Sequence, residues 1–215
     1  MIFAAIGDIR GNVNALQCVM DTVTQEGIQT VVNTGDNVVG HASPHEVIEV
    51  LCRESIAGVQ GEYDRLLGRW VRKRASLRER LPEADFKALE RAYEQCSSRD
   101  LEYLASLPSR LSLAVDGVSI ELCHGALTGP SDRLGPKDDP ALFRRQRELT
   151  AAQIIVCGHG EEAFALQIDD TLFVNPGSVG MASDGRAHYA VISTETEPWH
   201  AELRSAEYES VQNPG

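Results

Sequence analysis

The chain has 215 residues, 42% of them hydrophobic and 24% charged, with a formal net charge of −12. A chain of this length buries about 70% of its unfolded surface, so it suits one globular domain (1–215) that folds without disulfides. The acidic balance excludes a protein that coats nucleic acid through a basic face, and no apolar run reaches the ~20 residues of a membrane helix.

The chain opens directly on a strand-like run with no cleavable leader. Its five cysteines (Cys18, Cys52, Cys96, Cys123 and Cys157) are odd in number and lack CxxC spacing. Together these features read as a cytoplasmic protein with buried free thiols.

Residues 2–7 are predicted to form a buried strand that delivers Asp8. Asn12 then caps a helix over about 13–26, whose apolar face is Val13, Leu16, Val19, Met20 and Val23. A second strand ends at Asp36. The phrase "SPHEVIEVL" starts a second helix with Ser43 as N-cap, Pro44 at the first position and Glu46 closing a capping box. A third strand is predicted to run out through Gly61-Glu62-Tyr63-Asp64. Alternating strands and helices imply an α/β fold with a parallel sheet.

Between Arg65 and about Leu107 the texture becomes helical and charged, which marks an insertion (65–107). Its first part, "RLLGRWVRKRASLRER", carries seven basic residues and one acidic. A hairpin turning at Asp116-Gly117 delivers His124, and a short helix follows at about 140–149. A further strand delivers His159, a hairpin turns at Asp169-Asp170, and two closing strands precede a frayed "SVQNPG" end.

Strand ends in this pattern repeatedly deliver a metal-capable side chain: Asp8, Asp36, Glu62, His124 and His159. They converge if their strands share one sheet edge, where sites in open sheets collect. Singly, each has a plain structural reading as a cap or a hydrogen-bonded residue. The repetition of G-D, G-D, C-H-G and G-H-G argues against coincidence.

The phrases "GDIRGN", "TGDNVVG", "GEYD", "CHGA", "GHGE" and "FVNPGSVG" occur in this order. In these the chain resembles the calcineurin-like metallophosphoesterases, most of all their small bacterial and archaeal phosphodiesterase branch. The resemblance covers residues 2–64 and 110–204. It implies a four-layer αββα sandwich and a centre of two metal ions about 3.5–4 Å apart that hydrolyses phosphate esters.

The family pattern is Asp-x-His, Gly-Asn-His-Asp and Gly-His-x-His. This sequence places Arg10, Glu62, Tyr63 and Glu161 where the family has ligand His, ligand Asn, phosphate-steadying His and ligand His. The resemblance thus implies a first metal position (Asp8, position 10, Asp36, position 161) that has lost both imidazoles. The second (Asp36, Glu62, His124, His159) keeps a ligand-capable side chain at every place and suits Zn, Mn or Fe.

Arg10, permanently charged, is expected to supply positive charge among Asp8, Asp36 and Glu161, so that one metal ion binds per chain. The plain alternative is a decayed site with Arg10 turned to solvent. Arg10 and Tyr63 are the expected catalytic and substrate-contacting groups.

The first functional reading is metal-dependent hydrolysis of a phosphate mono- or diester, on a phosphorylated small molecule or nucleotide. The second is an inactive homologue that binds phosphate, a nucleotide or a protein, to which the basic segment would contribute. A third is assembly, as a homo-oligomer, through Leu66, Leu67, Trp70 and Val71, whose ordinary reading is a face packed on the core. His41 reads as a surface histidine, and His45, His188 and His200 as structural.

Overall fold

The computed structural model describes residues 1–160 and 162–209; Glu161 and the "SVQNPG" end lie outside the described residues. In chain order the first half comprises β1 (Ile2–Ile6), α1 (Val13–Gln25), β2 (Val31–Asn33), α2 (Pro44–Arg53), β3 (Ala57–Gly58), α3 (Glu62–Leu67), α4 (Trp70–Arg80), α5 (Glu83–Gln95) and α6 (Ser98–Ser106). The second half comprises β4 (Arg110–Val115), β5 (Val118–Cys123), α7 (Pro140–Arg147), β6 (Ile154–Val156), β7 (Phe164–Ile168), β8 (Thr171–Asn175), β9 (Ala187–Ser193) and β10 (His200–Ala206).

The strands form two mixed sheets, ordered β10-β9-β1-β2-β3 and β4-β5-β6-β8-β7. Within them β1, β2 and β3 are parallel, as are β5, β6 and β8. Phe3, Ala5 and Val32 of the first sheet pack against Ile120, Leu122, Val156 and Val174 of the second.

On the first sheet's outer face sit α1 and α2, through Leu16, Val19, Val47 and Leu51. On the second sheet's outer face, α7 inserts Phe143 between Phe164 and Phe173. The result is an α/β sandwich with the layer order αββα. Asn12 caps α1, its Oδ1 accepting from the Ala15 amide at 3.1 Å.

Four details depart from the sequence reading. Ser43 makes no side-chain cap; instead its amide donates to the Gly11 carbonyl, which ties α2 to the loop after β1. The third strand stops at Gly58, and residues 62–67 are helical because the Asp64 carboxylate accepts from the Gly61 amide at 3.0 Å and holds the first turn. Of the cysteines only Cys123 and Cys157, in the second sheet's core, are buried; Cys52 is exposed. In the insertion Leu67 and Trp70 are buried but Val71 is 76% exposed, so the apolar face is narrower than expected.

Trp70 lies 5.0 Å from the Phe86 ring, and Arg74 and Arg78 cover the Trp70 and Phe86 rings. Part of the basic segment therefore shields the insertion's own core, as long cationic side chains do.

Candidate metal centre

Asp8 lies two residues past β1, Asp36 three past β2, and Glu62 opens α3 after β3. His124 directly follows β5, and His159 lies three residues past β6. The carboxylates thus come from one sheet and the imidazoles from the other. They meet where the carboxyl ends of both parallel strand sets adjoin, not along a single sheet edge.

Asp8, Arg10, Asp36 and His159 take positive φ of 48°, 58°, 57° and 59°. Such backbone costs a non-glycine residue about 1–2 kcal/mol and persists only where the surroundings enforce it. The enforcement at Asp36 is visible: a Cβ on Gly61 would lie 2.1 Å from the Asp36 nitrogen, so only glycine allows this approach.

Asp36, His124 and His159 each offer one ligand atom, and the three atoms lie within 4.8 Å of one another. Asp36 Oδ2, His124 Nε2 and His159 Nδ1 are buried without a hydrogen-bond partner among the described residues. The other atoms of the first two are committed. His124 Nδ1 donates to the Thr34 carbonyl at 2.8 Å, which directs Nε2 to within 3.3 Å of Asp36 Oδ2. Asp36 Oδ1 accepts from the Tyr63 amide at 2.8 Å.

Buried polar atoms without hydrogen bonds are costly, and a divalent cation held by these three residues would offset that cost. One carboxylate and two imidazoles are a donor set suited to zinc, manganese or iron.

Electrostatics agree with this geometry. Burial works against the charged forms of Asp36 and His124, but their mutual attraction outweighs it: Asp36, aided by Arg10, is held at about 2 and His124 is pushed up to about 9. Burial and the neighbouring His124 charge push His159 below the usual histidine range. The pair therefore behaves as an ion pair plus a neutral imidazole until a cation displaces the His124 proton.

Arg10 lies across the two carboxylates. Its Nη2 is 2.7 Å from Asp8 Oδ1 and 2.8 Å from Asp36 Oδ2, and its Nε donates to Asp8 Oδ1 at 3.0 Å. The contact to Asp36 Oδ2 is an ion pair without hydrogen-bond direction, which is why that oxygen remains unsatisfied. The guanidinium carbon sits 4.7 Å from the Tyr63 ring centroid. Asp8 is thus occupied by Arg10, its second oxygen accepting from the His159 amide at 3.3 Å.

Glu62 also faces the pocket but stands outside the three-atom group. Its Oε1 accepts from Ser131 Oγ at 3.1 Å, and its Oε2 lies 4.0 Å from His159 Nε2. His41 is half-buried rather than a free surface residue, its Nε2 lying 2.9 Å from the Gly180 carbonyl oxygen.

Two parts of the site escape sequence reasoning. One is Asp64, fully buried, whose carboxylate accepts from the Asp36, Asn37 and Gly61 amides and from Asn37 Nδ2 at 2.8–3.0 Å. Burial and the Asp36 charge push its carboxyl up to about 6 against the pull of these bonds. The available signal was the unchanged Asp of the "GEYD" phrase.

Asp64→Ala would strand four buried donors, so a loss of about 3 kcal/mol or more is expected in urea unfolding. A loss under about 1 kcal/mol would mean that the loop holds without it. The other missed part is the loop after β5, whose Ser131 and Arg133 line the pocket with Asp8, Arg10, Tyr63 and His159. It carries no periodic signal.

The chain belongs to the calcineurin-like phosphoesterase superfamily, whose domain matches residues 1–197. It is 23% identical over 232 residues to the uncharacterized protein MJ0912 of Methanocaldococcus jannaschii, covering 97% of this chain and 88% of that one. Among solved structures it is similar to the hypothetical protein PH1004 of Pyrococcus horikoshii, with a TM-score of 0.85 and 20% identity over 97% of this chain and 88% of that one. A metallophosphoesterase from Sphaerobacter thermophilus gives a TM-score of 0.74 at 20% identity, over 97% and 90% of the two chains. At these identities the structural likeness speaks for the fold.

Proposed function

We propose that the chain hydrolyses a phosphate mono- or diester at a centre of one divalent metal ion plus Arg10. The carrying observation is the convergence of one ligand atom each from Asp36, His124 and His159 to within 4.8 Å, with a guanidinium already seated between Asp8 and Asp36. Glu62 is the further oxygen donor in this reading. An ion held by these residues would polarise a phosphoryl oxygen and acidify a water.

In this reading Arg10, 16% exposed and lining the pocket, binds the phosphoryl oxygens on which charge develops. Tyr63 has its pKa raised, chiefly by burial, so its phenol stays protonated and serves as a hydrogen-bond donor rather than a base. The pocket volume of about 440 Å³ fits a phosphorylated small molecule or nucleotide.

The five cysteines are free, which fits a reducing, cytoplasmic setting. No helix among the described residues is long and apolar enough to cross a membrane.

The test is metal analysis of the purified protein in parallel with hydrolysis of bis(p-nitrophenyl) phosphate in manganese. One bound equivalent with turnover is expected. Two equivalents would overturn the single-ion centre. Phosphate binding with one bound ion and no turnover of any ester would make the chain a binding module.

A further inference from the structure

The pocket holds two guanidiniums, and the reading above uses only one. Arg10 is already paired and fixed: two carboxylates and the Tyr63 ring hold it. Arg133 lines the same pocket, on the loop between β5 and α7. It is exposed, and among the described residues it has no ion-pair partner.

The loop fixes where Arg133 stands. On one side Thr128 Oγ1 donates to the Asp132 carboxylate at 2.6 Å, and the Asp132 amide closes a turn on the Gly129 carbonyl. On the other side Leu134 is buried in the core beneath α7. Ser131 adds the 3.1 Å bond to Glu62, which ties the loop to the first turn of α3. Arg133 therefore lines, from a tethered backbone, a cavity of about 440 Å³, far more than a single phosphate group fills.

An arginine fork matches phosphate and carboxylate oxygens in pairs. Arg10 and the metal ligands account for the scissile phosphoryl group, which leaves Arg133 to meet a different anion.

We propose that Arg133 is a specificity-determining residue that binds a second negatively charged group of the substrate, a phosphate or a carboxylate, beyond the scissile phosphate. The substrate class is then a phosphate ester bearing two separate anionic groups. This rests on the hydrolase reading above, and the experiment separates the two.

Thymidine 5′-(p-nitrophenyl phosphate) and its 3′-phosphorylated analogue share a leaving group and differ by one anion. With manganese, the protein should favour the 3′-phosphorylated compound by about tenfold in kcat/KM, carried by KM. In Arg133→Ala the ratio should fall to about one, and Arg133→Lys, which keeps the charge without the fork, should give an intermediate ratio. A tenfold ratio that survives in Arg133→Ala overturns the proposal, as does a parent ratio near one.

If neither compound is hydrolysed, the hydrolase reading fails, and Arg133 is then judged by calorimetry. Thymidine 3′,5′-bisphosphate should bind the metal-loaded parent about tenfold tighter than thymidine 5′-monophosphate. Loss of that difference in Arg133→Ala supports the assignment, and its persistence or absence from the parent sinks it.

Discussion

Arg10→Ala should lower the stability of the metal-free protein by about 3–5 kcal/mol at neutral pH, the usual cost of removing one member of a buried charge cluster. The guanidinium touches Asp8 and Asp36, which are 8% and 0% exposed, and without it the two carboxylates face each other in a poorly solvated space. Manganese should restore part of the loss by binding only the folded chain. The variant should then retain more metal than the parent, because its carboxylates are again free to ligate.

The pH dependence follows from Asp8. Burial already raises its pKa in the folded chain, opposed first by Arg10. Without Arg10 the carboxyl rises further and takes up a proton. A group whose folded pKa lies above its unfolded value gives its full contribution below the unfolded pKa and loses it as the pH climbs through the folded one. Arg10→Ala should therefore be close to the parent near pH 4 and fall behind as the pH rises. Urea melts at both pH values, with and without manganese, check this; an equal deficit at both would show that Arg10 acts by packing and not by charge.

Much of this arrangement was legible in the chain because the relevant signals are local. The apolar run before Asp8, the Asn12 cap and the Asp116-Gly117 and Asp169-Asp170 turns each specify their element from a few neighbouring residues. The site residues stood out because the strands end in Gly plus a polar group. What escaped was set by contacts distant in sequence. Nothing local tells that Gly61 must sit against Asp36, or that the third strand ends at Gly58 and the Asp64 carboxylate holds Glu62 and Tyr63 in the first turn of a helix.

The division of the ligands between two sheets was invisible for the same reason, since sheet order depends on pairings such as β1 with β9, almost the whole chain apart. Ser43 shows the limit of local rules. Its sequence context fits a cap, but its amide is drawn to Gly11, and the side chain makes no capping bond.

The largest functional effect is expected at Asp36, through which each branch of the centre passes. Its Oδ2 meets Arg10 and His124, its Oδ1 takes the Tyr63 amide, and its own amide donates to Asp64. Asp36→Asn preserves the shape and removes the charge. Hydrolysis should fall by about a thousandfold or more, because the metal and Arg10 both lose the anion that positions them. Bound metal should fall with it.

The linked proton gives a second readout. In the parent, His124 holds its proton up to about pH 9 while His159 is already neutral, so binding a cation at pH 7 must release one proton from His124. Metal affinity should therefore rise about tenfold per pH unit between pH 6 and 8 and level off near 9. In Asp36→Asn the anion that raises His124 is gone, so its pKa drops and the slope over this range should flatten. Chelator-competition titrations at several pH values measure both slopes. A parent affinity that does not change with pH would mean that His124 carries no proton to displace, and would remove the ion pair from the account of how this centre waits for its metal.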